Sequence, residues 1–196
     1  MAIVSKFFTL IALGVIASTT ANASYVANDP VNKTDPNGEQ VFPRDDGSKT
    51  VIVYPQRTAD HVDRRHSPNS AGPQNKFTQT LGHEKGKIMA MRGIETAVRT
   101  DSVAEQGDRT VYEGKIGGFF TNVGTQGEDT VRVVTQDLQT ILDPRMLESV
   151  ADEMADPATV AMIGALEAAN PENSEPINVE VIVTQYPVHE RDRITE

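Results

Sequence analysis

The chain has 196 residues, 38% of them apolar, with no cysteine and a formal net charge of −10. Without cysteine there are no disulfide staples, thiol nucleophiles or thiolate metal sites. The acidic excess argues against nucleic acid as a partner, because that binding rests on neutralising phosphates with Lys and Arg.

The first stretch reads as an export signal. Lys6 precedes the apolar run Phe7–Ala17, and Ala21-Asn22-Ala23 has the small-x-small form of a cleavage site, so the mature terminus falls at Ser24. Eleven residues rise about 16 Å as a helix, roughly half of a bilayer core of about 30 Å, which argues against a retained anchor. No later stretch is apolar enough to span, so no transmembrane segment is expected in the mature chain. A short signal without cysteine fits a bacterial exported protein: periplasmic, outer-membrane-associated or extracellular.

Residues 24–49 are polar and turn-rich, and read as a flexible N-terminal arm. Asp46-Gly47 is placed to close a small hairpin between Val41–Arg44 and Lys49–Tyr54. Residues 50–54, TVIVY, are a strand, ended by Pro55. Gln56–Thr80 reads as a long polar surface region, with Ser, Pro, Asn and Gly clustered in its second half. Glu84–Thr100 reads as a helix, since Ile88, Met91, Ile94 and Val98 recur at helical spacing. Gly86 and Gly93 argue against that helix by about 1 kcal/mol each relative to Ala.

Residues 109–136 form the expected centre of the sheet, a long hairpin turning through Gly124–Asp129. Glycine at 114, 117 and 118 marks a bulge or a close backbone approach. Two helices follow, 144–155 and 157–169, each opened by Asp-Pro as N-cap and first helical residue. The last strand, near 177–184, alternates Ile177, Val179, Val181 and Val183 with more polar positions. Residues 187–196 are a charged tail. Strands, then helices, then a strand predict an α+β fold over 50–186, with a mainly antiparallel sheet covered by the helical hairpin.

Candidate chemistry is sparse. His61, His66 and His83 lie near Asp60, Asp63 and Glu84 and are weak candidates for a metal. Their spacing matches no ligand motif, so neither a metal site nor a catalytic residue is assigned. Gly82–Lys87 and Gly114–Gly118 fail as phosphate loops, and Asp35–Gly38 fails as a calcium loop. No cofactor is expected. Phe119 and Phe120 point to opposite faces of a strand, so one of them is a candidate contact residue, as are Val41 and Phe42 on the arm.

Charge is split along the chain. Arg57–Arg99 carries eight basic residues against four acids, a net of +4, and Gln126–Glu175 carries two against eleven, a net of −9. The expectation is an exported, non-enzymatic protein that works by protein–protein contact or self-association, as an assembly, accessory or surface-structure subunit. The alternatives are a periplasmic enzyme using loop histidines, with or without a metal, and a small-ligand binding module.

Overall fold

In β2 (Lys49–Val53), successive β-branched side chains go to opposite sides of a sheet and are buried on both. Ile52 joins one core and Val51 and Val53 the other, so both faces of this strand are covered. The structure, a computed structural model, describes residues 41–43, 49–71, 75–116, 122–157, 159–161, 163–164 and 177–189. The expected signal 1–23, the arm up to 40, Phe119, Phe120 and the tail beyond 189 lie outside the described residues.

The remaining elements, in chain order, are α1 (Gln56–His66), α2 (Gly82–Arg99), β3 (Val103–Gln106), β4 (Arg109–Lys115), β5 (Thr130–Asp137), α3 (Pro144–Met154) and β6 (Asn178–Val188), with β1 (Val41–Pro43) preceding β2. A 3₁₀ turn, Leu138–Thr140, follows β5. The six strands form one sheet in the order β1-β2-β6-β5-β4-β3. Only the β2–β6 pair is parallel, so the fold is α+β with a mainly antiparallel sheet.

The expected hairpin of the arm forms inside this sheet, with Val41 opposite Val51 and Pro43 opposite Lys49. The central hairpin pairs Arg109 with Gln136 through to Lys115 with Thr130. Beyond β4, Gly107 with φ +69° turns the chain back to the short edge strand β3. Gly107-Asp108 between two extended runs is a two-residue hairpin turn.

One face is covered by α1 and α2. Ala59, Val62, Met89, Met91, Ile94 and Ala97 pack there against Ile52, Tyr112, Val131, Val133 and Ile182. The other face is covered by α3, where Val150 meets Val51, Val53, Ile141 and Val181. Asp143 caps α3 as expected, its carboxylate accepting from Arg145 N at 3.0 Å. The following helix begins after Asp156, and residues 157, 159–161 and 163–164 are helical.

The polar region 56–80 is corrected by α1. Its buried residues Thr58, Ala59, Val62 and His66 fall four residues apart or nearly so, a narrow stripe of small and polar side chains without a large aliphatic residue. α1 lies along β6 where that strand runs past the end of its β2 partner. There the Thr58 hydroxyl donates to the Ile182 carbonyl at 2.5 Å. The same free edge lets Pro187 sit in β6 without breaking a ladder, which carries the strand four residues beyond its expected end at 184.

Candidate functional site

The three histidines sit on helices, not on loops. His61 and His66 share α1, and His83 opens α2. His61 and His66 lie close, with ring centroids 6.4 Å apart. His66 is buried, stacks on Tyr186 at 5.3 Å, and hydrogen-bonds the Asn75 carbonyl through Nδ1 at 2.8 Å. Since a carbonyl only accepts, Nδ1 carries the proton. Burial holds the His66 pKa below its ordinary value, against the Asn75 contact that raises it. Burial also lowers His61, with His66 and the neighbouring arginines adding to the effect.

His83 belongs to a different cluster. Its Nε2 donates to the Tyr54 carbonyl at 2.9 Å and lies 3.5 Å from Glu153. Its Nδ1 lies 3.3 Å from Glu84. Beside it, Lys87 Nζ donates to Glu153 Oε1 at 2.9 Å, joining α2 to the last turn of α3. The Gln185 amide donates to the Tyr54 hydroxyl at 3.0 Å and to the Gly86 carbonyl at 2.9 Å. Burial raises the Tyr54 pKa above its ordinary value. Val51–Tyr54, Lys87, Glu153 and Thr159 line a shallow recess with no enclosed room for a water molecule, whereas small-molecule sites run from roughly 300 Å³ upward.

On the sheet itself, Glu113, Arg132 and Tyr186 occupy one cross-strand row. Arg132 Nε donates to Glu113 at 2.6 Å and its guanidinium lies 5.8 Å from the Tyr186 ring centre. Burial works against the charge on Arg132, but Tyr186 and Glu113 outweigh it and raise its pKa. Glu180, also buried, accepts from Tyr112 at 3.1 Å and Thr135 at 2.5 Å. Asp63 of α1 accepts from the Leu81 and Gly82 amides, a cap supplied to α2 from another helix.

These groups tie elements together. Among the described residues no group of three or more His, Cys, Asp or Glu is arranged to hold a metal ion. Of the candidate contact residues, Val41 and Phe42 lie on the edge strand β1, with their side chains outside the described set.

The outer surfaces differ in kind. On α2, Lys85, Ile88, Arg92, Glu95 and Arg99 follow at three- and four-residue steps and share one side of the helix. Ile88 is 42% exposed and Val98 46%. On α3, Arg145, Glu148 and Asp152 are exposed, with Asp156 just beyond and Leu142, 88% exposed, just before. α1 and α2 together carry seven basic residues against four acids, and α3 one against three. α1 and α2 cover one face of the sheet and α3 the other, and the two sides are tied together by the Lys87–Glu153 and Arg57–Asp143 ion pairs. No helix among the described residues is long and apolar enough to cross a membrane. Comparison of the chain with protein families, with curated proteins and with solved structures finds no match.

Proposed function

We propose that the chain is an exported bacterial protein that works by contact with protein surfaces, as an assembly, accessory or surface-structure subunit. The observation that carries this reading is the charge layering. Leaving out the buried Lys87–Glu153 pair, α1 and α2 carry a net +2 and α3 a net −1, with exposed Ile88, Val98 and Leu142 set among these charges. Complementary charge steers encounter and fixes register, and apolar residues among it supply the burial that holds a contact.

The buried chemistry supports the same reading. His66, His83, Lys87, Glu113 and Glu153 each spend a ring nitrogen, an ammonium or a carboxylate on a bond within the fold. A catalytic acid or base has to reach a substrate proton, and these groups already hold their partners. Export rests on Lys6, the run Phe7–Ala17 and the Ala21-Asn22-Ala23 site.

Native electrophoresis of gently extracted cells tests the contact. The chain should migrate in a complex well above its own 21.3 kDa, and migration as a free monomer would contradict the reading. Mass spectrometry of the same material should place the N-terminus at Ser24, and an intact Met1 would remove the export argument.

A further inference from the structure

We infer that the partner of the β3 edge is the β3 edge of a second copy, the two strands pairing antiparallel about a two-fold axis beside Ala104. The inference rests on the contact reading above and names one partner for it. β3 ends the strand order, with only β4 beside it. Just before β3, the Glu113 amide donates to the Ser102 carbonyl at 3.0 Å. The pairing groups of an antiparallel strand face one neighbour at every second residue, so Ala104 and Gln106 also face β4. Val103 and Glu105 therefore turn their N–H and C=O outward, and neither makes a further backbone bond among the described residues. Both residues are exposed, Val103 by 38%. The opposite edge, β1, holds Pro43, which has no N–H to donate. β3 holds neither proline nor lysine.

Two outward residues can meet their own copies in one register that uses both. Val103 lies opposite Glu105 of the second copy and Glu105 opposite its Val103, each pair exchanging two main-chain hydrogen bonds. The stem of Glu105 then covers the exposed valine. Ala104 faces itself across the axis in a non-hydrogen-bonded pair, where Cα atoms approach to about 4.5 Å and a small side chain fits. A slide that sets Glu105 opposite Glu105 brings like charges together and is unfavourable. The slide in the other sense sets Glu105 against Asp101, again a like charge, and Asp101 has left the strand at φ 55°.

Such a contact is isologous and closes as a dimer. It joins two sheets into one and leaves the two β1 edges outermost. A four-residue strand is about 14 Å long, and its edge covers on the order of 200 Å² per copy, well below the roughly 800 Å² per partner of a standard interface. The dimer is therefore weak and concentration-dependent. The net charge of −10 repels whole copies. Salt at about 0.15 M screens that repulsion beyond roughly 8 Å and strengthens the pairing. Main-chain hydrogen bonds are not ion pairs, so about 1 M salt leaves it in place.

The absence of cysteine from the chain makes the register directly testable. Ala104→Cys places two thiols across the axis with Cα atoms about 4.5 Å apart, within disulfide range. Val103→Cys and Glu105→Cys each set like positions about 9 Å apart, beyond the roughly 7 Å that a disulfide spans. On mild oxidation of the purified mature chain, Ala104→Cys should form a covalent dimer at least tenfold faster than either neighbour, at about 0.15 M and at about 1 M salt alike. Glu105→Pro removes one outward N–H and none that faces β4, so the sheet tolerates it. Added to Ala104→Cys, it should slow crosslinking at least tenfold. Circular dichroism of each variant separates a lost contact from a lost fold, and the comparison of the three single cysteines stands without the proline variant. Equal rates at 103, 104 and 105 overturn the inference. So does a folded Glu105→Pro variant that crosslinks as fast as its parent. Neither result touches the wider contact reading, which fails only if no complex of any composition forms in the cell.

Discussion

Gly114 in β4 faces the backbone of Gly93 in α2 so closely that a Cβ at position 114 would collide with the Gly93 carbonyl oxygen. The two glycines let the helix press directly on the strand. A helix usually meets a sheet through side chains; here the backbones themselves touch, and neither can yield without moving its element. Gly114→Ala should cost roughly 3 kcal/mol by overpacking. Gly107→Ala is the control: its φ is +69° and nothing lies within 4 Å, so strain alone should cost about 1 kcal/mol. Urea unfolding of the two variants gives the comparison, and equal losses would mean that α2 and β4 separate easily.

The Lys87–Glu153 pair makes a prediction about what a buried charge does when left alone. Their side chains are 9% and 16% exposed. Lys87→Met strands the carboxylate in a site with little water and should cost about 2 kcal/mol, below the range for a fully buried pair. Lys87→Met with Glu153→Leu removes both charges and should recover most of the loss. A double variant less stable than the single would show that His83, 3.5 Å from Glu153, and the apolar lining do not tolerate the exchange.

Histidine sets the response to mild acid. His66 and His61 both have folded-state pKa values below the ordinary 6.5, first through burial. The unfolded chain therefore binds protons that the folded chain refuses, and stability falls as pH drops. Their contribution is full above about pH 6.5 and is lost as pH falls from there toward the folded-state values. Denaturation midpoints between pH 7.5 and 5 should decline, in a range where carboxylates remain mostly ionised. His66→Gln should flatten the decline. An unchanged slope in that variant would assign it to other groups.

Much of the fold was legible because large aliphatic residues carried the periodicity. Val131 and Val133 sit at alternate positions of β5 and both enter the core under α1 and α2, and Val179 and Val181 do the same in β6 on the α3 side. α2 was legible despite Gly86 and Gly93. Their cost in propensity is offset by what the missing side chains allow: Gly86 lies against the Tyr54 hydroxyl and Gly93 against the Val133 and Val131 side chains. α1 was not legible, since it buries Thr58 and His66 rather than leucines and its N-cap is Pro55 without a side-chain bond. Its burial is justified by the free edge of β6, which only the tertiary pairing creates.

The clusters were illegible for a different reason. Lys87 and Glu153 are 66 residues apart, and Tyr54 and Gln185 are 131 apart. Nothing local marks either pair. The split charge was visible from composition, but its meaning was not. The sheet turns a difference along the chain into a difference between two faces.

Site-directed photocrosslinking in the cell that makes the protein tests the proposed contact. A photoreactive residue at Lys85 samples the α2 face, one at Glu148 samples the α3 face, and one at exposed Gln139 serves as control. The account predicts discrete protein adducts from positions 85 and 148 and none from 139. Adducts from none of the three, or equally from all three, would contradict it.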